Sequence, residues 1–259
     1  MTRVVHLTHS RDLRTGGVIE AVLRLDESLR AKGISSAISD DPQSLGEDAT
    51  HFIVHGLWQW SGLRAWKRFK ATSCPYIVFP HGMMDPWFKK TFPLKHLKKQ
   101  AYWLWMQGRI MRHAHAVCFT TKEERRLARE TFWPSRYREV VTGLGVGSPP
   151  GDDKGQKADF MGAFPELSDR RILLYLGRMH PKKGLDMLLH SFLGEERNDE
   201  ALVLAGPVEK SDPFTRKLLR STQGREKEVV WTGMLEGDLK WGALRAADAL
   251  VLPSHQENY

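Results

Sequence analysis

Short runs of β-branched and aliphatic residues alternate along this chain with stretches of helical periodicity, and that alternation limits the fold more than any other feature. RVVHLT (3–8), ISSAIS (34–39), HFIVHG (51–56), YIVFP (76–80), AVCFT (116–120) and EVVTG (139–143) have the length and composition of strands. After the first of them Val18, Val22, Leu25 and Leu29 recur every three or four residues, one face of a helix that ends at Gly33. The spacing predicts a long basic amphipathic helix over about 94–112 and a charged helix beginning at Lys122. Residues 147–170, opening GSPPGDDKGQKAD, are rich in Gly, Pro and charge, as an interdomain linker is. The alternation then restarts with RILLYLG (171–177), a helix from Gly184, ALVLAG (201–206), a helix around 213–221, EVVWTG (228–233), a helix around 236–247 and ALVLP (249–253). Such a pattern builds parallel sheets covered by helices. The expected fold class is α/β, with Rossmann-like domains at 1–147 and 171–259, a linker at 148–170 and a cleft between the two.

Composition removes several classes. The 259 residues exceed the roughly 150 of an average domain, and 41% hydrophobic with 27% charged residues is too apolar for disorder. No apolar run approaches the ~18 residues of a membrane span, and MTRVVHLTHS reads as a strand rather than a signal peptide. Cys74 and Cys118 form no CxxC pair, so neither a disulfide framework nor a zinc ribbon is expected, and a cytoplasmic location is. The net charge of +8 is concentrated: residues 86–140 hold thirteen Lys/Arg against four Glu. A basic face attracts phosphate in a small ligand, in nucleic acid or in anionic lipid.

Four places carry candidate chemistry. In GRMHPKKG (177–184), Arg178 and Lys183 lie in a loop at the carboxyl end of a strand and just before a helix, where two cations and free helix N–H groups suit a diphosphate. In LPSHQEN (252–258), Ser254, His255 and Glu257 follow another strand, where a carboxylate accepts hydrogen bonds from sugar hydroxyls. Gly16-Gly17 forms a turn after the first strand whose backbone N–H groups approach a phosphate closely. His81 in FPHGMMDPWF (79–88) sits at the edge of the first sheet. Each has a structural alternative: a solvated basic loop, a surface glutamate, a tight turn, a core histidine.

These strings together resemble the family 4 glycosyltransferases, retaining enzymes of the GT-B fold that use nucleotide-sugars. The resemblance rests on Gly16-Gly17, PHGMMDPW (80–87), GRMHPKKGLDMLL (177–189), ALVLAGP (201–207) and LPSHQEN (252–258). It implies that Arg178 and Lys183 bind the donor diphosphate and that His81 lies near the transferred sugar. It also implies that Glu257 opens an E-x7-E motif and contacts sugar hydroxyls, with His255 beside it. The motif's second glutamate would fall at 265, beyond the last residue, so the second domain is read as incomplete. The family's Pro-Asn-Gly-Val-Asp string stands here as Gly143-Leu144-Gly145-Val146-Gly147. The chain holds no D-x-D, so neither a metal nor another cofactor is expected, the nucleotide-sugar being a substrate.

The acceptor implied is a glycan or lipid-linked saccharide of polysaccharide biosynthesis. Residues 87–113 interleave seven Lys/Arg with Phe88, Tyr102, Trp103 and Trp105, and are read as docking on an anionic membrane at its inner face. The competing readings are a solvated helix face, or a core stripe in which Leu94, Leu97, Ala101, Leu104, Gly108 and Met111 keep helical spacing. A dinucleotide oxidoreductase lacks its G-x-G-x-x-G after the first strand, no module for nucleic acid is visible, and His113-x-His115 is too little for a metal site. A shortened, catalytically silent relative that binds acceptor or partner is the remaining alternative.

Overall fold

The run EALVLA at Glu200–Ala205 is apolar at five successive positions because both sides of its sheet are covered. Leu202 and Leu204 pack into one core with Tyr175, Leu185, Leu189, Phe192 and Leu218. Ala201, Val203 and Ala205 pack into another with Phe160, Ile172, Leu174, Ala243 and Ala246. The computed structural model describes residues 2–15, 17–145, 147–195, 199–255 and 257. It divides into two units, residues 1–147 and 148–257.

The N-terminal unit holds strands β1 (Arg3–Leu7), β2 (Ser35–Ser39), β3 (His51–His55), β4 (Tyr76–Phe79), β5 (Ala116–Phe119) and β6 (Glu139–Val141). All pair in parallel, in the order β2-β1-β3-β4-β5-β6. Its helices are α1 (Gly17–Ala31), α2 (Trp60–Thr72), α3 (Pro86–Thr91), α4 (Pro93–Tyr102), α5 (Gly108–His113) and α6 (Lys122–Ala128). A π-helical turn, Trp103–Gln107, joins α4 to α5, so the long basic helix is continuous from 93 to 113 with one widened turn. Leu94, Leu97, Ala101 and Leu104 are all exposed, and none of the residues of α4 is buried. The stripe read as a core face is therefore a surface along its first half, and only the turn below it inserts Trp103 and, beyond, Met111 into the core.

The C-terminal unit holds α7 (Asp153–Ala163), β7 (Arg171–Leu176), α8 (Leu185–Leu193), β8 (Glu200–Ala205), α9 (Pro213–Ser221), β9 (Val229–Gly233), α10 (Gly237–Ala246) and β10 (Ala249–Leu250). Its parallel sheet runs β10-β7-β8-β9. The stretch 148–170 is not simply a linker. Asp152 caps α7 by accepting from the Gly155 amide at 2.7 Å, and Gln156 and Phe160, one turn apart, are buried. The helices α7 and α10 cross so closely that a Cβ at Gly242 would lie 2.1 Å from the Gln156 carbonyl oxygen. Asp238 accepts from Gln156 Nε2 at 2.6 Å across the same crossing. Gly, Pro and charge hid two buried positions that make this segment part of the second core.

Candidate active site

Each sheet has a point where successive strands depart in opposite directions, at β1 beside β3 and at β7 beside β10. Loops leaving the carboxyl ends of strands diverge there and leave room for a ligand. The described candidate residues fall at or beside these points, each cluster within its own unit.

In the C-terminal unit, Gly177–Gly184 leaves β7 and residues 251–257 leave β10. Lys183 ends a 3-10 turn, Pro181–Lys183, whose entry is fixed by His180 accepting from the Lys182 amide at 3.1 Å. Gly184 then takes φ 65°, and a Cβ there would lie 2.2 Å from the Pro253 carbonyl oxygen. Only glycine allows that approach. The His255 amide donates to the Lys182 carbonyl at 2.9 Å, so the backbone of His255 ties the loops together while its side chain is exposed. A similar squeeze holds the strand ends, where a Cβ on Gly206 would sit 1.9 Å from the Gly177 carbonyl oxygen.

The two loops bring Lys183 Nζ onto Glu257 Oε1, which also accepts from Ser254 Oγ. Burial alone would raise the Glu257 carboxyl; the hydrogen bonds from Lys183 and Ser254, with the Lys183 and Lys182 charges, outweigh it and leave the group below its ordinary value. Arg178 is exposed on the same loop, its carbonyl accepting from the buried Tyr175 hydroxyl at 2.8 Å. The cluster is thus two cations and a half-buried carboxylate at one sheet edge, just before the N-terminus of α8. Such an edge offers cations to an anion and an acceptor to hydroxyl groups.

In the N-terminal unit, His81 follows β4 with φ 50°, and Gly82 follows with φ 70°. Left-handed backbone at a histidine costs roughly 1–2 kcal/mol and persists where neighbours fix it. Glu124 does this from α6: its buried carboxylate accepts from the Gly82 amide at 2.8 Å and from the Thr120 amide and hydroxyl, each at 2.7 Å. The His81 ring is fixed in turn by His55, whose Nδ1 lies 2.9 Å from His81 Nε2. The His55 Nε2 is 2.9 Å from Nδ1 of His6, and the three rings lie edge to edge across β1, β3 and β4, with centroids 5.2 Å apart and planes 19° and 22° from one another. Burial holds the His81 imidazole down to about 4 and keeps it neutral at physiological pH.

Gly17 opens α1 at the end of the β1 loop, with open space where a side chain would stand. Gly16, its partner in the expected phosphate turn, lies outside the described residues. His6, His55 and Glu124 were not among the expected site residues. Histidines closing apolar runs in VVHL and IVH are a faint signal, because their adjacency depends on strand order.

A model of the Glycosyl transferase 4-like domain matches residues 3–145, more than half of the chain, and one of Glycosyl transferases group 1 matches residues 156–259. The chain belongs to these glycosyltransferases. An uncharacterized glycosyltransferase of Methanocaldococcus jannaschii is 29% identical over 105 residues, a match spanning 40% of this chain and 26% of the relative. Among solved structures, a sucrose-phosphate synthase from Thermosynechococcus elongatus superposes with TM-score 0.75 at 16% identity, covering all of this glycosyltransferase and 77% of that chain. HepE of Anabaena, solved in complex with UDP and glucose, gives 0.69 at 14% identity, covering 100% and 76%. A trehalose-phosphate synthase of Burkholderia vietnamiensis gives 0.66 at 12%, covering 96% and 76%. At these identities the structures establish the fold, the α/β architecture with two parallel sheets of the GT-B glycosyltransferases.

Proposed function

We propose that the protein transfers a sugar from a nucleotide-diphosphate sugar to a glycan or lipid-linked saccharide of polysaccharide biosynthesis, with retention of configuration and without a metal. The observation that carries this reading is the interlocked pair of loops that sets Lys183 against Glu257 at the edge of the second sheet. Arg178 and Lys183 bind the donor diphosphate, helped by the amides around Gly16-Gly17, and Glu257 with His255 engages hydroxyls of the sugar. His81, at the strand end of the N-terminal unit, is proposed to lie near a transferred sugar. As the anomeric C–O bond breaks, positive charge grows on the sugar and negative charge on the departing diphosphate, which the two cations stabilise. The acceptor hydroxyl attacks from the face the diphosphate leaves, and its proton passes to the departing phosphate oxygen, so no enzyme nucleophile is consumed. HepE, solved with UDP-glucose, makes uridine diphosphate sugars the first donors to try.

The acceptor side is proposed to dock at the inner face of an anionic membrane through residues 87–113. Support comes from the surface of α4 and the turn after it, where Leu94 is 77% exposed, Leu97 66% and Trp105 63%, beside Lys89, Lys90, Lys95 and Lys98. Apolar groups of this size on a lysine-rich surface suit the headgroup boundary of a bilayer. Among the described residues no helix is long and apolar enough to cross a membrane.

The test is a panel of nucleotide-sugars incubated with the protein and oligosaccharide or lipid-linked acceptors, with and without EDTA. Release of nucleoside diphosphate, undiminished by EDTA, is the expected result. No turnover and no nucleotide binding by calorimetry would return the chain to the class of silent relatives. Flotation with vesicles containing phosphatidylglycerol, against pure phosphatidylcholine, tests the membrane surface separately.

A further inference from the structure

The three-imidazole chain is more than His81 needs for packing, and its inner end carries a second observation. His6 is fully buried, and its Nε2 has no hydrogen-bond partner. Asp26 on α1 is 8% exposed, and its Oδ1 likewise has none, although Oδ2 accepts from Arg30 at 2.9 Å. The two atoms are complementary: one is a ring nitrogen able to carry a proton, the other a carboxylate oxygen lacking a donor. Burial lowers the His6 imidazole to about 4, with Asp26 acting against that shift and Arg30 adding to it. The Nδ1 of His6 is taken up by His55, which leaves Nε2 as the ring nitrogen free to answer that carboxylate; a carboxylate repels a bare lone pair and attracts an N–H, so Asp26 favours the proton there.

The remaining protons follow by exclusion. If His6 carries its proton on Nε2, its Nδ1 is an acceptor, and His55 must donate to it from Nε2. His55 Nδ1 is then an acceptor, and His81 must donate to it from Nε2. His81 is left with a bare Nδ1. We propose that His6 and His55 are positioning residues that, anchored at Asp26, lock His81 in the Nε2–H tautomer and present its Nδ1 lone pair as the acceptor for a substrate hydroxyl at the carboxyl edge of the first sheet. No net proton transfer is involved, because the chain sets a direction of hydrogen bonding. The charged and titratable groups acting along it are Asp26 and Arg30 at His6, then His6 and His81 at His55. Burial keeps all three rings neutral near pH 7, so the tautomer is what distinguishes one state of the site from another.

The substrate hydroxyl in this proposal rests on the glycosyltransferase reading, whereas the tautomer does not, and the experiment separates them. Long-range 1H–15N spectra of protein labelled at histidine distinguish a protonated from a bare ring nitrogen. The expected result at pH 7.5 is Nε2–H on His6, His55 and His81. His55→Phe keeps a flat ring in the stack but removes both nitrogens, and should leave His81 a mixture of tautomers. His55→Gln, with one donor end and one acceptor end, should restore the single tautomer. On turnover, His55→Phe and Asp26→Asn should lower kcat about tenfold with KM for the donor within about twofold, and His55→Gln should recover most of the loss. Nδ1–H on His81 in the unaltered protein, or an unchanged His81 spectrum in His55→Phe, would overturn the proposal even if the enzyme turns over. A locked Nε2–H tautomer with no turnover on any donor would sink the proposed reaction and leave the chain of histidines standing.

Discussion

The two strand-end clusters solve the problem of a fixed polar group in opposite ways. At the edge of the first sheet the groups are neutral imidazoles in an apolar setting, held by the buried carboxylate of Glu124 and by one another. At the edge of the second they are full charges on loops with access to water, held by an ion pair and by two glycines that let backbone pass against backbone. Neutral groups tolerate burial and gain direction from it, whereas charges need water or a counter-charge until a ligand arrives.

The sharpest way to break that contrast is to remove the charges. Arg178→Ala and Lys183→Ala should each lower turnover about 10²-fold or more, on the scale of one lost transition-state donor, while thermal midpoints stay within a few degrees; full activity in either would erase the distinction. Next in size is the backbone passage. Gly184→Ala must hold φ 65° and place its Cβ 2.2 Å from the Pro253 carbonyl, and should cost about 2 kcal/mol or more in urea unfolding. Gly17→Ala, with open space and no left-handed backbone, is the control and should be neutral or slightly stabilising.

Acid probes the neutral end. His6 and His81 fall from 6.5 in the unfolded chain to about 4 in the folded one. Between those values the unfolded chain binds more protons, so stability is full above pH 6.5 and falls toward pH 4. A thermal midpoint flat across that window would show that the rings are not held neutral. The smallest effect on stability is expected at the exposed surface of α4, where Leu94→Ser with Leu97→Ser should change unfolding by under about 0.5 kcal/mol yet abolish flotation with anionic vesicles.

Most of this architecture was legible. Every strand foreseen from an apolar run is present within two or three residues, because a strand buried on both faces leaves few residue types acceptable. The GR…KG and PS…E strings each read as a loop at the carboxyl end of a strand, and the strands they follow, β7 and β10, are neighbours. What could not be read depends on pairing across the chain. His6 and His55 become a hydrogen-bonded pair only once β1 lies beside β3, forty-odd residues away in sequence. Gln156 and Phe160 look like spacer residues until α10 covers them. The leucines of α4 have the period of a buried face and yet stand exposed among the described residues, which no spacing rule reveals.

Glu124 has one further consequence. A single carboxylate clasps the amide of Gly82, the amide and hydroxyl of Thr120 and, through its own place in the first turn of α6, the start of that helix. The turn bearing His81 therefore has no independent freedom: whatever loosens the tip of β5 or the root of α6 unlatches it too. In deuterium uptake the amides of Gly82 and Thr120, thirty-eight residues apart, should open at a common rate.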